Sequence, residues 1–168
     1  MTYKSMVDKL MDMCERHAHE IAELWYKSLC TNPRTQACLV IPKETCIKHA
    51  VDIYKSIADM YFSDDCFTAV AQNLDISGCV DTFYSHGVPL EQVQYALTLM
   101  RRHIWLFADK QMIFNPSAMD MSLAVDSINR ILLVFDYANY YVSRTYAELA
   151  ARSTYASQDK RAVKSAAR

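Results

Sequence analysis

Residues 117–152 read SAMDMSLAVDSINRILLVFDYANYYVSRTYAELAAR, a run with neither glycine nor proline. Leu123 or Ala124, Ile128, Ile131, Phe135, Ala138, Val142 and Leu149 recur in phase with a helical turn, so they form one stripe of a long helix. Ser117 is placed to cap it, with Asp120 completing an acidic first turn. A second apolar surface runs beside the stripe through Leu132, Val134, Tyr137, Tyr140, Tyr141 and Tyr146. One face can close a core. The other calls for a partner, and the reading predicts a homodimer joined through this last helix.

Upstream, the breakers divide the chain into further helical blocks. Val7, Leu10, Cys14, Ala18, Ile21, Trp25 and Leu29 predict a helix from Ser5 to Leu29, stopped by Asn32-Pro33. Pro42 suits the first turn of a second helix, whose apolar face is Ile47, Ala50, Val51, Tyr54, Ile57, Ala58 and Tyr61. Ser63-Asp64-Asp65 ends it and caps a short helix over Phe67–Leu74. Another short helix is predicted from about Ile76 to Ser85, closed by Gly87. Pro89 opens a helix with Leu90, Val93, Leu97, Met100, Ile104 and Phe107 in phase, running to about Phe114 before Asn115-Pro116. The fold class is therefore all-α, a bundle of about five to seven helices with a long C-terminal one. Residues 1–152 form the domain, and 153–168 read as a polar, basic tail or linker stub.

Composition agrees. The 168 residues contain only Gly78 and Gly87 as glycines, too few for the turns of a β fold. Neither a phosphate-binding glycine loop nor a dinucleotide fingerprint can be built from them. A net charge of −1 argues against nucleic acid as the main partner. No run of 18 apolar residues predicts a membrane span. Asp8, Asp12, Glu15 and Glu20 interrupt the first turns, unlike a secretory leader, so a cytoplasmic location is expected. Cys14, Cys30, Cys38, Cys46, Cys66 and Cys79 include no C-x-x-C pair, and free thiols in a reducing compartment behave as small apolar residues.

No catalytic motif is legible. His17 and His19 face nearly opposite sides of one helix, and neither Glu-x-x-His nor H-E-x-x-H occurs, so no metal is expected. Ser85-His86 lacks the glycines of a nucleophile elbow. Arg101 shares a helix face with Trp105 beside the apolar stripe. There its guanidinium either anchors an anion or pairs with a core-edge carboxylate.

The order of motifs resembles a known family. Ile21-Ala22-Glu23-Leu24-Trp25 closes the first block, Tyr84 to Val93 spans the turn at Gly87, Met100 to Trp105 follows, and the last helix carries Phe135-Asp136-Tyr137 and Tyr146-Ala147-Glu148-Leu149. Over roughly residues 5–152 this resembles the N-terminal sensor domain of the RsbT co-antagonist (RsbR/RsbRD) family of the bacterial stressosome. The resemblance implies a globin-like fold without haem, dimerised through its last helices, that signals to an output domain or a partner protein. The turn also resembles that of globin-coupled oxygen sensors, in which a proximal histidine sits four residues before the glycine; here that position is Phe83.

The expected function is a non-catalytic sensory or regulatory domain, a homodimer that holds a small apolar or anionic ligand and acts on a regulatory protein. Trp25, Tyr54, Tyr84, Tyr95, Arg101 and Trp105 are the candidate pocket residues, being aromatic or polar positions near core stripes. Two alternatives stand beside it: a haem-binding gas or redox sensor ligated by His86, His49 or His103, and a small helical enzyme without a recognisable motif.

Overall fold

A computed structural model describes residues 5–111, 113 and 120–166, with the side chains of the last helix described over 124–155. Among the described residues there are seven α-helices: α1 (Met6–Arg16), α2 (Ala18–Thr31), α3 (Lys43–Phe62), α4 (Cys66–Ser77), α5 (Cys79–Ser85), α6 (Leu90–Lys110) and α7 (Asp120–Ala166). A short 3₁₀ turn, Gln36–Val40, links α2 to α3, and no strand occurs among the described residues. The all-α bundle with a long C-terminal helix is thus observed.

The first predicted helix is two. Ser5 and Asp8 form a reciprocal capping box that starts α1. The chain then bends at His17, which leaves the helical region at φ −107° although neither glycine nor proline is near. The bend lets α1 reach α3, α6 and α7 while α2 lies between α3 and α6. The His17 ring rests against Phe107, centroids 5.2 Å apart, and bonds Glu20 at 2.8 Å.

Asp65 caps α4 as expected, accepting from the Thr68 N–H. The next break falls at Gly78 instead of before Ile76, which belongs to α4 and is 88% exposed. Gly78 takes φ +63°, a left-handed backbone that a side chain disfavours. Open space surrounds its missing Cβ, so only backbone strain opposes a substitution. Gly78→Ala is expected to lower the unfolding free energy by about 1 kcal/mol in urea titration. At Gly87 (φ +71°), Val88 N–H bonds back to Phe83 O at 3.1 Å, turning the chain into α6.

α6 stops at Lys110, short of Phe114. The Ile113 N–H folds back to Ala108 O, which tucks the half-buried Ile113 against the core. Asn115-Pro116 and the Ser117 cap lie outside the described residues. α6 and α7 run antiparallel: Gln94 bonds Ser143 while Arg101 pairs with Asp136, one number rising as the other falls. Arg130 ties α7 to the end of α3, donating to the Tyr61 and Ser63 carbonyls left open by the helix terminus.

At 47 residues α7 is roughly 70 Å long. The backbone stays helical to Ala166. The alanine-rich, glycine-free sequence there favours propagation of the helix. Residues 150–155 are all exposed, so α7 leaves the body of the bundle near Leu149.

The second apolar surface of α7 is narrower than its sequence implies. Val134, Tyr141 and Tyr146 are buried within the same subunit. Tyr141 bonds the Asp75 carboxylate on α4, and Tyr146 bonds Val88 O while meeting the Tyr84 ring edge-on. Among the described residues of α7, the large apolar side chains that stay outside are Val125, Leu133, Tyr140 and, past the bundle, Tyr155.

Candidate functional site

The buried stripes of six helices converge on an interior cavity of about 30 Å³. Trp25 of α2, His49 of α3, Leu74 of α4, Phe83 of α5, Leu97 of α6 and Val142 of α7 each supply part of its wall, and all are buried. The Trp25 indole N–H is already bonded to Ala96 O at 2.9 Å, so the ring offers the cavity carbon alone. His49 and Cys79 stand in a lining of otherwise apolar side chains, and the surface open to the cavity is apolar.

His49 enters this site through its helix phase. Cys46, His49 and Ile53 follow one another at steps of three and four, which carries the imidazole onto the inner side of α3 at 7% exposure. Nε2 lies 3.2 Å from Thr82 Oγ1 on α5, and Nδ1 is buried without a hydrogen-bond partner. Burial, helped by the Lys48 charge, holds the imidazole pKa below the ordinary histidine value; Asp52 and the Ser77 carbonyl oppose more weakly. His103 is lowered in the same way by burial and Arg102.

The sign of the linkage follows. Unfolded histidines take up protons below about pH 6.5 while the folded ones resist, so the unfolded state binds more protons there. Unfolding free energy is expected to be insensitive to these groups above neutrality and to fall as pH drops below about 6.5. Chemical denaturation across pH 5–8 reads this, and His49→Gln should flatten part of the slope.

The remaining expected site residues scatter. Tyr54 is fully buried, but its hydroxyl bonds Met100 O at 3.1 Å and it does not line the cavity. Tyr84 packs on Tyr146, and Tyr95 lies half-buried beneath the Arg34 guanidinium. Arg101 takes the ion-pair alternative, meeting Asp136 across the α6–α7 seam at 3.5 Å, and Trp105 is half-buried at the core edge. Of that set only Trp25 reaches the cavity. Five of the six cysteines are buried; desolvation pushes Cys14 and Cys46 up to about 12 and Cys38 to about 11, so these thiols stay protonated and pack as apolar groups.

The three haem candidates do not converge. His86 is exposed with Nδ1 turned back to Thr82 O at 2.8 Å, His103 bonds Ser28 Oγ at 2.8 Å, and only His49 meets the cavity. α5 contributes Cys79, Val80 and Phe83 to the lining, and burial raises the Cys79 thiol pKa and keeps it protonated. A void of about 30 Å³ is far below the size of a porphyrin, so these residues do not fit that group. Hemin added to the purified chain is expected to give no Soret band that depends on His49, His86 or His103.

Among the described residues no three His, Cys, Asp or Glu side chains gather into a metal-holding group. None of the helices searched there is long and apolar enough to cross a membrane. No protein-family model matches the chain, and neither a curated protein nor a solved structure does.

Proposed function

We propose that this chain is a non-catalytic sensory or regulatory module of the cytoplasm, dimeric through the outer face of α7, that takes a small molecule between its helices and acts on a partner protein. One observation carries the reading: Val125, Leu133 and Tyr140 stay exposed on a single side of the helix that also runs past the bundle. At 100° per residue they fall within about 80° of one another, a stripe and not a scatter. A helix roughly 70 Å long, flanked by α4 and α6, offers room for the roughly 800 Å² per partner of a standard interface. A twofold pairing would set α7 against itself and leave both overhanging ends side by side, where a partner could read their spacing.

The cavity adds support from the inside. It touches six helices at once, so an occupant that shifts any of them alters the packing beneath α7 at Val142. The sequence resemblance to stressosome sensor domains points the same way. Light scattering of the purified chain at micromolar concentration is expected to give a dimer mass. A monomer mass under those conditions removes the reading.

A further inference from the structure

Among the described residues, every part of the wall that is open to the interior cavity is apolar. Phe83, Leu97 and Val142 are hydrocarbon side chains. The Trp25 N–H is taken by Ala96 O, and Met100 O accepts from the Tyr54 hydroxyl. His49 belongs to the wall, but Thr82, the residue that its Nε2 meets, does not. The cavity lies within the core, since all of these lining side chains are buried.

That surface sets the chemistry of an occupant. A buried water needs two to four polar partners and finds none there, so water is disfavoured. An ion would lose its hydration with no counter-charge, and an amide or hydroxyl would lose hydrogen bonds that the wall does not replace. An unfilled void also leaves its lining without dispersion contacts on one side. A non-polar molecule restores those contacts and leaves water in the same step, with no polar atom unmet. The volume, about 30 Å³, is about twice what a single water requires, which limits the occupant to about two or three non-hydrogen atoms.

We propose that the cavity between the six helices binds a neutral, non-polar molecule of about two or three non-hydrogen atoms, by class a dissolved gas such as a light hydrocarbon or dioxygen. This rests on the ligand-binding part of the proposed function and selects the apolar occupant over the anionic one.

Ethane and methanol are the matched probes, alike in size and differing by a methyl group in place of a hydroxyl. Methyl proton–carbon spectra of the labelled full chain, followed against dissolved concentration, are the readout. Ethane is expected to shift Val80, Leu97 and Val142 saturably, and more than Leu10, Ile57 and Ile104, which are buried elsewhere in the core. Methanol is expected to bind at least about tenfold more weakly. Dioxygen separates the two sources: selective relaxation of the same three residues identifies a site open to the diatomic gas, and its absence leaves the hydrocarbon. Val80→Ile and Val142→Ile each add one methylene to the lining from a different helix, and either is expected to abolish the ethane response at Leu97. No saturable response to ethane, an equal affinity for methanol, or an ethane response that persists in both filled variants would overturn the assignment. Saturable ethane binding in a chain that proves monomeric upholds this site and removes the dimeric reading above; a dimer that does not bind ethane does the reverse.

Discussion

Replacing Trp25 by alanine is expected to cost about 4 kcal/mol of unfolding free energy, the largest single-residue loss in the bundle. The indole is 2% exposed, sits where α2, α3 and α6 meet, and bonds the Ala96 carbonyl across the α2–α6 interface. Deleting it removes the transfer free energy of a large aromatic ring and merges its volume with the existing cavity. The helices framing that space are tied at several other points and cannot collapse to fill it. With a slope of about 2 kcal/mol per molar urea, the midpoint should fall by about 2 M. For a domain whose total stability is roughly 5–15 kcal/mol, that brings the variant close to unfolding. Trp25→Phe keeps most of the ring and loses the hydrogen bond, so a smaller loss of about 1–2 kcal/mol is expected. Indole added to Trp25→Ala should restore part of the lost stability by refilling the enlarged void. A midpoint shift below about 0.5 M for the alanine variant would mean that the six-helix convergence at Trp25 is misdescribed.

The second large effect concerns assembly. Leu133→Glu combined with Tyr140→Glu is expected to convert the dimer to a monomer in light scattering while leaving helicity and the urea midpoint nearly unchanged. Both side chains lie on the outer face of α7, at 38% and 59% exposure, so the folded monomer tolerates charge there. In a twofold interface each substitution appears twice, placing four like charges in a desolvated strip. Several kcal/mol of penalty raises Kd by several powers of ten, since each 1.4 kcal/mol is tenfold. Ile76→Glu, at an exposed apolar position on α4, is the matched control and should leave the mass alone. Persistence of the dimer in the double variant would place the interface elsewhere.

The helix boundaries that a proline or glycine dictates were legible before any coordinates: Pro42, Gly87 and Pro89 mark the ends of α3, α5 and α6 as read. The bend at His17 was not. No breaker signals it, because it arises where α1 turns away to meet α3 and α7. The α7 surface was read too generously for a related reason. Periodicity shows that Tyr141 and Tyr146 are apolar and in phase with a face, but their burial depends on Asp75 in α4 and Val88 before α6. The same holds for the site. His49 sits in helical phase with Cys46 and Ile53, a signal that could have raised its rank above Tyr95 or Arg101. Its partner Thr82 is 33 residues away, and nothing local connects them.

Sequence alone settled that the fold is all-α, where most of its helices are punctuated, and that its last helix is long, because backbone preference depends on residues within a turn or two. Tertiary packing decided which tyrosines turn inward, that Val125, Leu133, Tyr140 and Tyr155 remain outside on α7, and that one buried imidazole beside a small void keeps a ring nitrogen without a hydrogen bond. Desolvation and cavity shape are properties of segments brought together from across the chain, so no window of neighbouring residues contains them.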